Sequence, residues 1–124
     1  MAAYAGNVTR SEKVWEEFDL AAFTCPSGQV ARDRAAHGVP VWQSRYFGDW
    51  KNLRLYPTSG AYHSSELPIL FGTAEKVSKI PDSAREQDFS RYMASAWVAF
   101  ASDPQNGLTH FGWPRYNPRG EYCT

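Results

Sequence analysis

Residues 39–47, Val39-Pro40-Val41-Trp42-Gln43-Ser44-Arg45-Tyr46-Phe47, decide the fold class that this sequence implies. The run is rich in Val, Trp, Tyr and Phe, the residue types that suit a pleated, half-buried surface, and Pro40 is tolerated near a strand's start. A helical stretch leads straight into it. Residues 26–37 open on Pro26, whose missing N–H costs little in a first turn. They carry Val30, Ala31 and Ala35 as a thin apolar stripe and stop at Gly38, a natural residue for ending a helix. Helix followed at once by strand is the rhythm of an α/β sheet protein. No second strand of comparable quality is visible, and one strand cannot make a sheet. The expected class is therefore α/β, with helices and one or two strands of a sheet protein, incomplete as a domain.

Working outward, residues 9–19 read as a short helix. Thr9 and Glu12 have capping-box spacing, and Val14, Trp15 and Phe18 give one apolar face. Residues 48–62 read as a loop punctuated by Gly48, Pro57 and Gly60. It is long for a plain connection, and long ordered loops tend to be functional. Residues 64–71 allow a short helix restricted by Pro68. The clearest element is residues 83–102. Ser83 and Glu86 form a capping box, and Phe89, Met93, Ala96, Trp97 and Phe100 follow at helical spacing. Pro104 and Gly107 end it, and the aromatic, Pro- and Gly-rich tail from Phe111 reads as irregular chain.

The chain has 124 residues, enough for one ordinary domain or a piece of a larger one. Thirteen basic and thirteen acidic residues give a net charge of +0, which argues against nucleic-acid and anionic-membrane partners. No apolar run approaches the ~20 residues of a membrane span. Residues 1–6, Met1-Ala2-Ala3-Tyr4-Ala5-Gly6, lack the basic and apolar regions of a signal peptide, and localisation stays open. Five Trp, seven Tyr and seven Phe exclude a disordered chain. Cys25 and Cys123 allow one intramolecular bridge or two free thiols, and spacing does not choose between them. No cysteine–histidine cluster has metal-ligand spacing, so neither a metal site nor a cofactor is expected. Asn7-Val8-Thr9 matches the short glycosylation triplet and makes Asn7 a weak acceptor candidate.

Three histidines could carry chemistry. His37 falls in the last turn of a predicted helix, where it complements the helix dipole. His110 sits in a Gly- and Trp-rich loop with no acid or nucleophile near it in sequence. His63 differs, because it stands where the long loop ends and a short helix begins, a common setting for a general base.

The strings around it carry a resemblance. Arg45-Tyr46-Phe47-Gly48-Asp49-Trp50, then Gly60-Ala61-Tyr62-His63, then Glu66-Leu67-Pro68-Ile69-Leu70-Phe71-Gly72 resemble the C-terminal region of type-B carboxylesterases, the carboxylesterase, lipase and cholinesterase family. The wording is closest to its fungal members. Phe23-Thr24-Cys25-Pro26 upstream, and Tyr92-Met93, Trp97, Phe100-Ala101, Asp103-Pro104 and Gly112-Trp113-Pro114 downstream, agree in order. The resemblance divides the chain into an unplaced segment 1–14, a carboxylesterase part over 15–120, and a departing tail over 121–124.

It implies an α/β-hydrolase fold in which residues 39–47 form a late strand of the central sheet. It also implies that His63 is the triad base, which takes a proton from a serine nucleophile and returns it to the leaving alcohol. Gly60 belongs to the same motif. Glu66 matches the family's acidic residue after the histidine and would help to fix the local turn rather than act as triad acid. In cholinesterase-like members the cysteine of the Cys-Pro motif pairs with one in a later helix. Cys123 does not match that position, so the resemblance gives a Cys25–Cys123 bridge no support.

The family's nucleophile sits in a Gly-x-Ser-x-Gly elbow. Here Ser27 has Cys25 two positions before it, Ser59 lies between Pro57 and Ala61, and no other serine is flanked by two glycines. Neither an oxyanion-hole glycine run nor a triad acid at the family's distance before His63 is found. Three readings follow. The chain is a C-terminal fragment of a serine carboxylic-ester hydrolase, inactive alone, with an ester substrate only in the full-length setting. Or it is a non-catalytic binding module derived from an esterase tail. Or another chain completes it by supplying the serine and the acid. As a fragment, it should turn aromatic residues such as Trp42, Phe89 or Trp97 to solvent.

Overall fold

A computed structural model of the chain describes residues 12–117. It divides into two compact units, one formed by the residues up to Val41 with those from Arg115 onward, the other by Trp42–Pro114.

In the first unit, helix α1 (Glu12–Asp19) runs through a π-helical turn, Leu20–Thr24, into helix α2 (Cys25–Ala36). Asp19, Thr24 and Cys25 all keep right-handed helical backbone, so the expected break between two helices is a continuous path. Pro26 accounts for the wide turn. It has no N–H to offer and its ring crowds the carbonyl four residues back, and a π turn before it relieves both problems. The Cys25 N–H reaches back to the Leu20 carbonyl. Phe18 packs edge-on to Trp15 and to Phe23 on the same stretch. Thr9, the expected cap, lies outside the described residues, as does Asn7.

The end of α2 is closed as its sequence requires. Gly38, at φ +73°, donates to the Ala35 carbonyl, and Val39 donates to the Arg34 carbonyl. These two bonds make a Schellman motif, which needs a left-handed residue where Gly38 stands. His37 Nδ1 donates to the Asp33 carbonyl at 2.7 Å, so this histidine caps its own helix. Cys25 is disulfide-bonded, which removes the free-thiol reading for it; Cys123 lies outside the described residues.

The expected strand over 39–47 does not form. Among the described residues there is no β-strand. The Val41 carbonyl accepts from the Tyr116 N–H, but one bond is not a ladder. The residue types suit a strand, yet a strand exists only through its neighbour, and the described residues contain no other strand.

In the second unit, helices α3 (Leu67–Leu70), α4 (Ala74–Ser78), α5 (Ala84–Ser102) and α6 (Gly107–His110) surround a small core. Leu53, Ile69, Ala74 and Met93 form its buried centre, with Tyr46, Trp50, Leu70 and Phe89 packed around them. Ser90 Oγ donates to the Ile69 carbonyl at 2.6 Å and ties α5 to α3. Helix α5 begins as its sequence dictates. Ser83 Oγ accepts from the Glu86 N–H, and the Glu86 carboxylate accepts from the Ser83 N–H. It ends at Asp103, whose carboxylate accepts from the N–H groups of Gln105 and Asn106 and turns the chain toward α6. Gly107 then lies against the Ala99 carbonyl so closely that a Cβ would collide with it.

The apolar face of α5 is only half used. Met93 and Ala96 are buried and Phe89 is half-buried, but Trp97 and Phe100 remain 45% and 44% exposed. Of the aromatic residues expected to face solvent, Trp97 does. Trp42 and Phe89 are each partly covered, Trp42 against Phe100 and Phe89 against Trp50. No helix among the described residues is long and apolar enough to cross a membrane.

Glu86 couples the capping box to pH. The residue is 2% exposed, and burial raises its pKa against the lowering effect of Asn52 and the Ser83 N–H; Asp82 adds a further raising effect. A folded state that holds the proton more tightly is favoured at low pH, and the advantage is lost as pH rises through the raised value. Glutamine can keep both bonds of the box without a charge. Glu86→Gln should therefore need more urea than wild type to lose its helical circular-dichroism signal at neutral pH. The difference should vanish below about pH 4. Equal urea resistance at neutral pH would contradict the assignment.

Candidate functional site

The loop from Gly48 to Tyr62 is held at both ends and in the middle. Near its start the Trp50 indole N–H donates to the Tyr46 hydroxyl at 2.8 Å. Arg54 grips the Asp49 carboxylate with two nitrogens, each at 2.7 Å, and this pairing holds the Asp49 pKa down. At the tip, Ser59 Oγ accepts from the Leu55 N–H. Gly60 then reverses the chain at φ +57°. At the far end the Tyr62 hydroxyl reaches back to the Leu53 carbonyl at 2.8 Å, which anchors the loop to the core.

His63 follows, as the second residue of a four-residue turn. The Ser65 N–H donates to the Tyr62 carbonyl at 3.0 Å, and Ser65 Oγ accepts from the Tyr62 N–H at 3.1 Å. Ser65 is 3% exposed, so these paired bonds are shielded from water. Ser64, at the third position, has φ +70°, the left-handed value that a type II turn takes there. Leu67 then donates to the Ser64 carbonyl, and α3 begins with Glu66 at its N-cap. His63 itself is exposed, and its ring has no hydrogen-bond partner among the described residues. Its backbone is fixed on both sides while its imidazole is uncommitted.

Glu66 is half-buried. Its charge is felt by Tyr46. Burial is the main cause that pushes the Tyr46 phenol up to about 12, with the Trp50 N–H pulling the other way and Glu66 and Glu86 adding to the rise. The side-chain bonds that hold the turn come from Ser65 and Tyr62, which sequence reading did not single out. The signal was local: a serine three residues after Tyr62 is placed to mimic a backbone turn.

No serine or cysteine among the described residues forms a nucleophile–base hydrogen bond with His63. His37 is committed to its helix end, and His110 closes the short helix α6. No cluster of three or more metal-ligating side chains occurs among the described residues. A groove of about 760 Å³ opens between residues 44–50 and α5, and His63 is not among its lining residues.

Comparison with known proteins gives this turn its context. The profile of the carboxylesterase family matches residues 3–123. The chain belongs to the carboxylesterase family. It is 38% identical over 97 residues to a protein named secreted lipase 5 from Gibberella zeae, a match covering 78% of this chain and 18% of that protein. It is 34% identical over 107 residues to a protein named chlorogenic acid esterase from Aspergillus niger, covering 74% of this chain and 21% of that protein. No solved structure matches. This carboxylesterase-family chain thus spans about a fifth of the length of the curated relatives it matches. Membership implies the α/β-hydrolase architecture, of which the described residues supply helices and no strand.

The two ties on the His63 turn can be separated. Tyr62→Phe removes one hydroxyl from the Leu53 carbonyl and should cost about 1 kcal/mol. Ser65→Ala strands the Tyr62 N–H in a shielded place and should cost about 1–3 kcal/mol. Amide exchange should quicken over residues 53–66 in both variants and stay unchanged at the centre of α5. Equal acceleration in α5 would mean that the turn is not an independent element.

Proposed function

We propose that this chain is the C-terminal portion of a serine carboxylic-ester hydrolase and that His63 is its triad base. The observation that carries the reading is the state of His63: an uncommitted, exposed imidazole on a backbone fixed by Tyr62 and Ser65. A triad base needs both ring nitrogens, one to accept the serine proton and the other to donate to the orienting acid. A histidine already bonded within its own helix, as His37 is, cannot offer both. A fixed backbone matters equally, because proton transfer requires the ring within hydrogen-bond reach of the nucleophile.

In the complete site His63 would take the serine proton as the hydroxyl attacks the ester carbonyl, and would hand it to the departing alcohol. On this reading the serine, the acid and the oxyanion hole come from polypeptide outside these residues, in keeping with a match that spans about a fifth of the relatives' length. The names of the two relatives, a lipase and an esterase, support carboxylic esters as the substrate class. Gly60 reverses the chain ahead of the turn, and the backbone of Glu66 starts the helix that follows it. The binding-module reading asks for a self-contained core, and Ile69 is the sole large side chain fully buried among the described residues.

Two measurements test this reading. The purified chain should not hydrolyse p-nitrophenyl butyrate above the rate of its His63→Ala variant. A chimera in which this chain replaces the matching segment of the Gibberella zeae lipase should hydrolyse it, and His63→Ala in that chimera should lower kcat by at least about 10⁴-fold. A His63-dependent turnover by the chain alone, or a fully active His63→Ala chimera, would overturn the proposal.

A further inference from the structure

A polar cluster joins the loop before His63 to the start of α5. Residues 50–53 form a four-residue turn, closed by the Leu53 N–H on the Trp50 carbonyl at 2.9 Å. Asn52 is its third residue, and asparagine is a common turn former. Its side chain does not stay in water. It is half-buried, and Nδ2 donates to the Asp82 carboxylate at 2.8 Å, across 30 residues of chain. The same amide acts on Glu86, whose pKa burial pushes up and Asn52 pulls down. Asn52 thus faces two acids that flank the N-cap of α5, Asp82 just before Ser83 and Glu86 three residues after it.

The cluster is not built for stability. Asn52 Oδ1 and Glu86 Oε1 are shielded from water and have no hydrogen-bond partner among the described residues. Orphaned acceptors of this kind destabilise a fold, and a leucine of similar size at position 52 would remove one of them. What the amide does supply is direction. Leu53, the next residue, offers the carbonyl that the Tyr62 hydroxyl bonds at 2.8 Å, and Tyr62 precedes His63. Apolar packing keeps the Leu53 side chain inside but does not aim its carbonyl, whereas a hydrogen bond from the neighbouring side chain to α5 does. We propose, resting on the esterase reading above, that Asn52 is a positioning residue for His63: its bond to Asp82 holds residues 50–53 against the start of α5 and so fixes the carbonyl to which the His63 turn is tied. Neither Asn52 nor Asp82 touches the reacting atoms. They act because a base misplaced by about an ångström can lose 10²-fold in rate.

The lipase chimera separates positioning from stability. Asn52→Leu should lower kcat on p-nitrophenyl butyrate by about 10- to 100-fold and move KM by less than about twofold. Its unfolding midpoint should stay within a few degrees of the parent chimera, because an orphaned acceptor leaves together with the donor. Asp82→Asn keeps an oxygen for the Asn52 amide and should retain most of kcat, whereas Asp82→Leu should fall as Asn52→Leu does. In the isolated chain, amide exchange over residues 60–66 should quicken in Asn52→Leu and change little in Asp82→Asn. An unchanged kcat for Asn52→Leu, beside an inactive His63→Ala chimera, would overturn the positioning proposal and leave the His63 reading standing. A fall in kcat that tracks a lowered midpoint, and that Asp82→Asn does not spare, would also overturn it, because Asn52 would then serve the fold alone. Quickened exchange over 60–66 in Asn52→Leu, beside a fully active His63→Ala chimera, would uphold the tie and sink the catalytic reading.

Discussion

The burial of Ile69 against Leu53, Ala74 and Met93 is the constraint on which the second unit depends. Ile69 sits in a four-residue helix too short to be stable by itself. Packing holds that helix, and the Ser90 hydroxyl on the Ile69 carbonyl fixes its distance from α5. Leu53 extends the same contact to the loop, and Tyr62 bonds the Leu53 carbonyl. The turn bearing His63 thus lies between two anchors, Tyr62 on one side and α3 on the other. An exposed histidine owes its fixed position to an isoleucine that water does not reach.

That core is small. Its buried apolar side chains include two alanines, Ala74 and Ala96, and Ile69 is the sole large one fully buried among the described residues. Much of the aromatic content lies at the surface in pairs, such as Trp97 with Trp113 and Tyr92 with Phe111. Ring pairs of this kind contribute about 0.5–1.5 kcal/mol beyond burial and cannot replace a filled interior. The run 39–47, with strand-like composition but no strand among the described residues, belongs to the same pattern. Local elements are well made, while few large apolar side chains are fully buried between them among the described residues.

What was legible in the sequence follows the same division. The Ser83–Glu86 box, the stop at Gly38 and the place of Pro26 were readable because each depends on chemistry within a few residues. The strand expected over 39–47 does not form among the described residues, since residue type sets the tendency but a distant neighbour sets the outcome. The π turn before Pro26 is not legible from proline's preference for opening a helix, because proline also acts on the turn behind it. His63 and Gly60 stood out through the family's string of residues, not through periodicity. Ser65 and Tyr62, which make that string into a rigid turn, lay in plain view but were silent until their partners were known.

The central claim is that this chain holds a preformed histidine turn on an incomplete core. It is tested most directly by heating the purified monomer while following near-ultraviolet circular dichroism and the fluorescence of the dye ANS. The account predicts dye binding already at low temperature and a broad, shallow loss of the aromatic signal. A single sharp transition, with no dye bound before it, would contradict the claim and show that these residues close a core of their own.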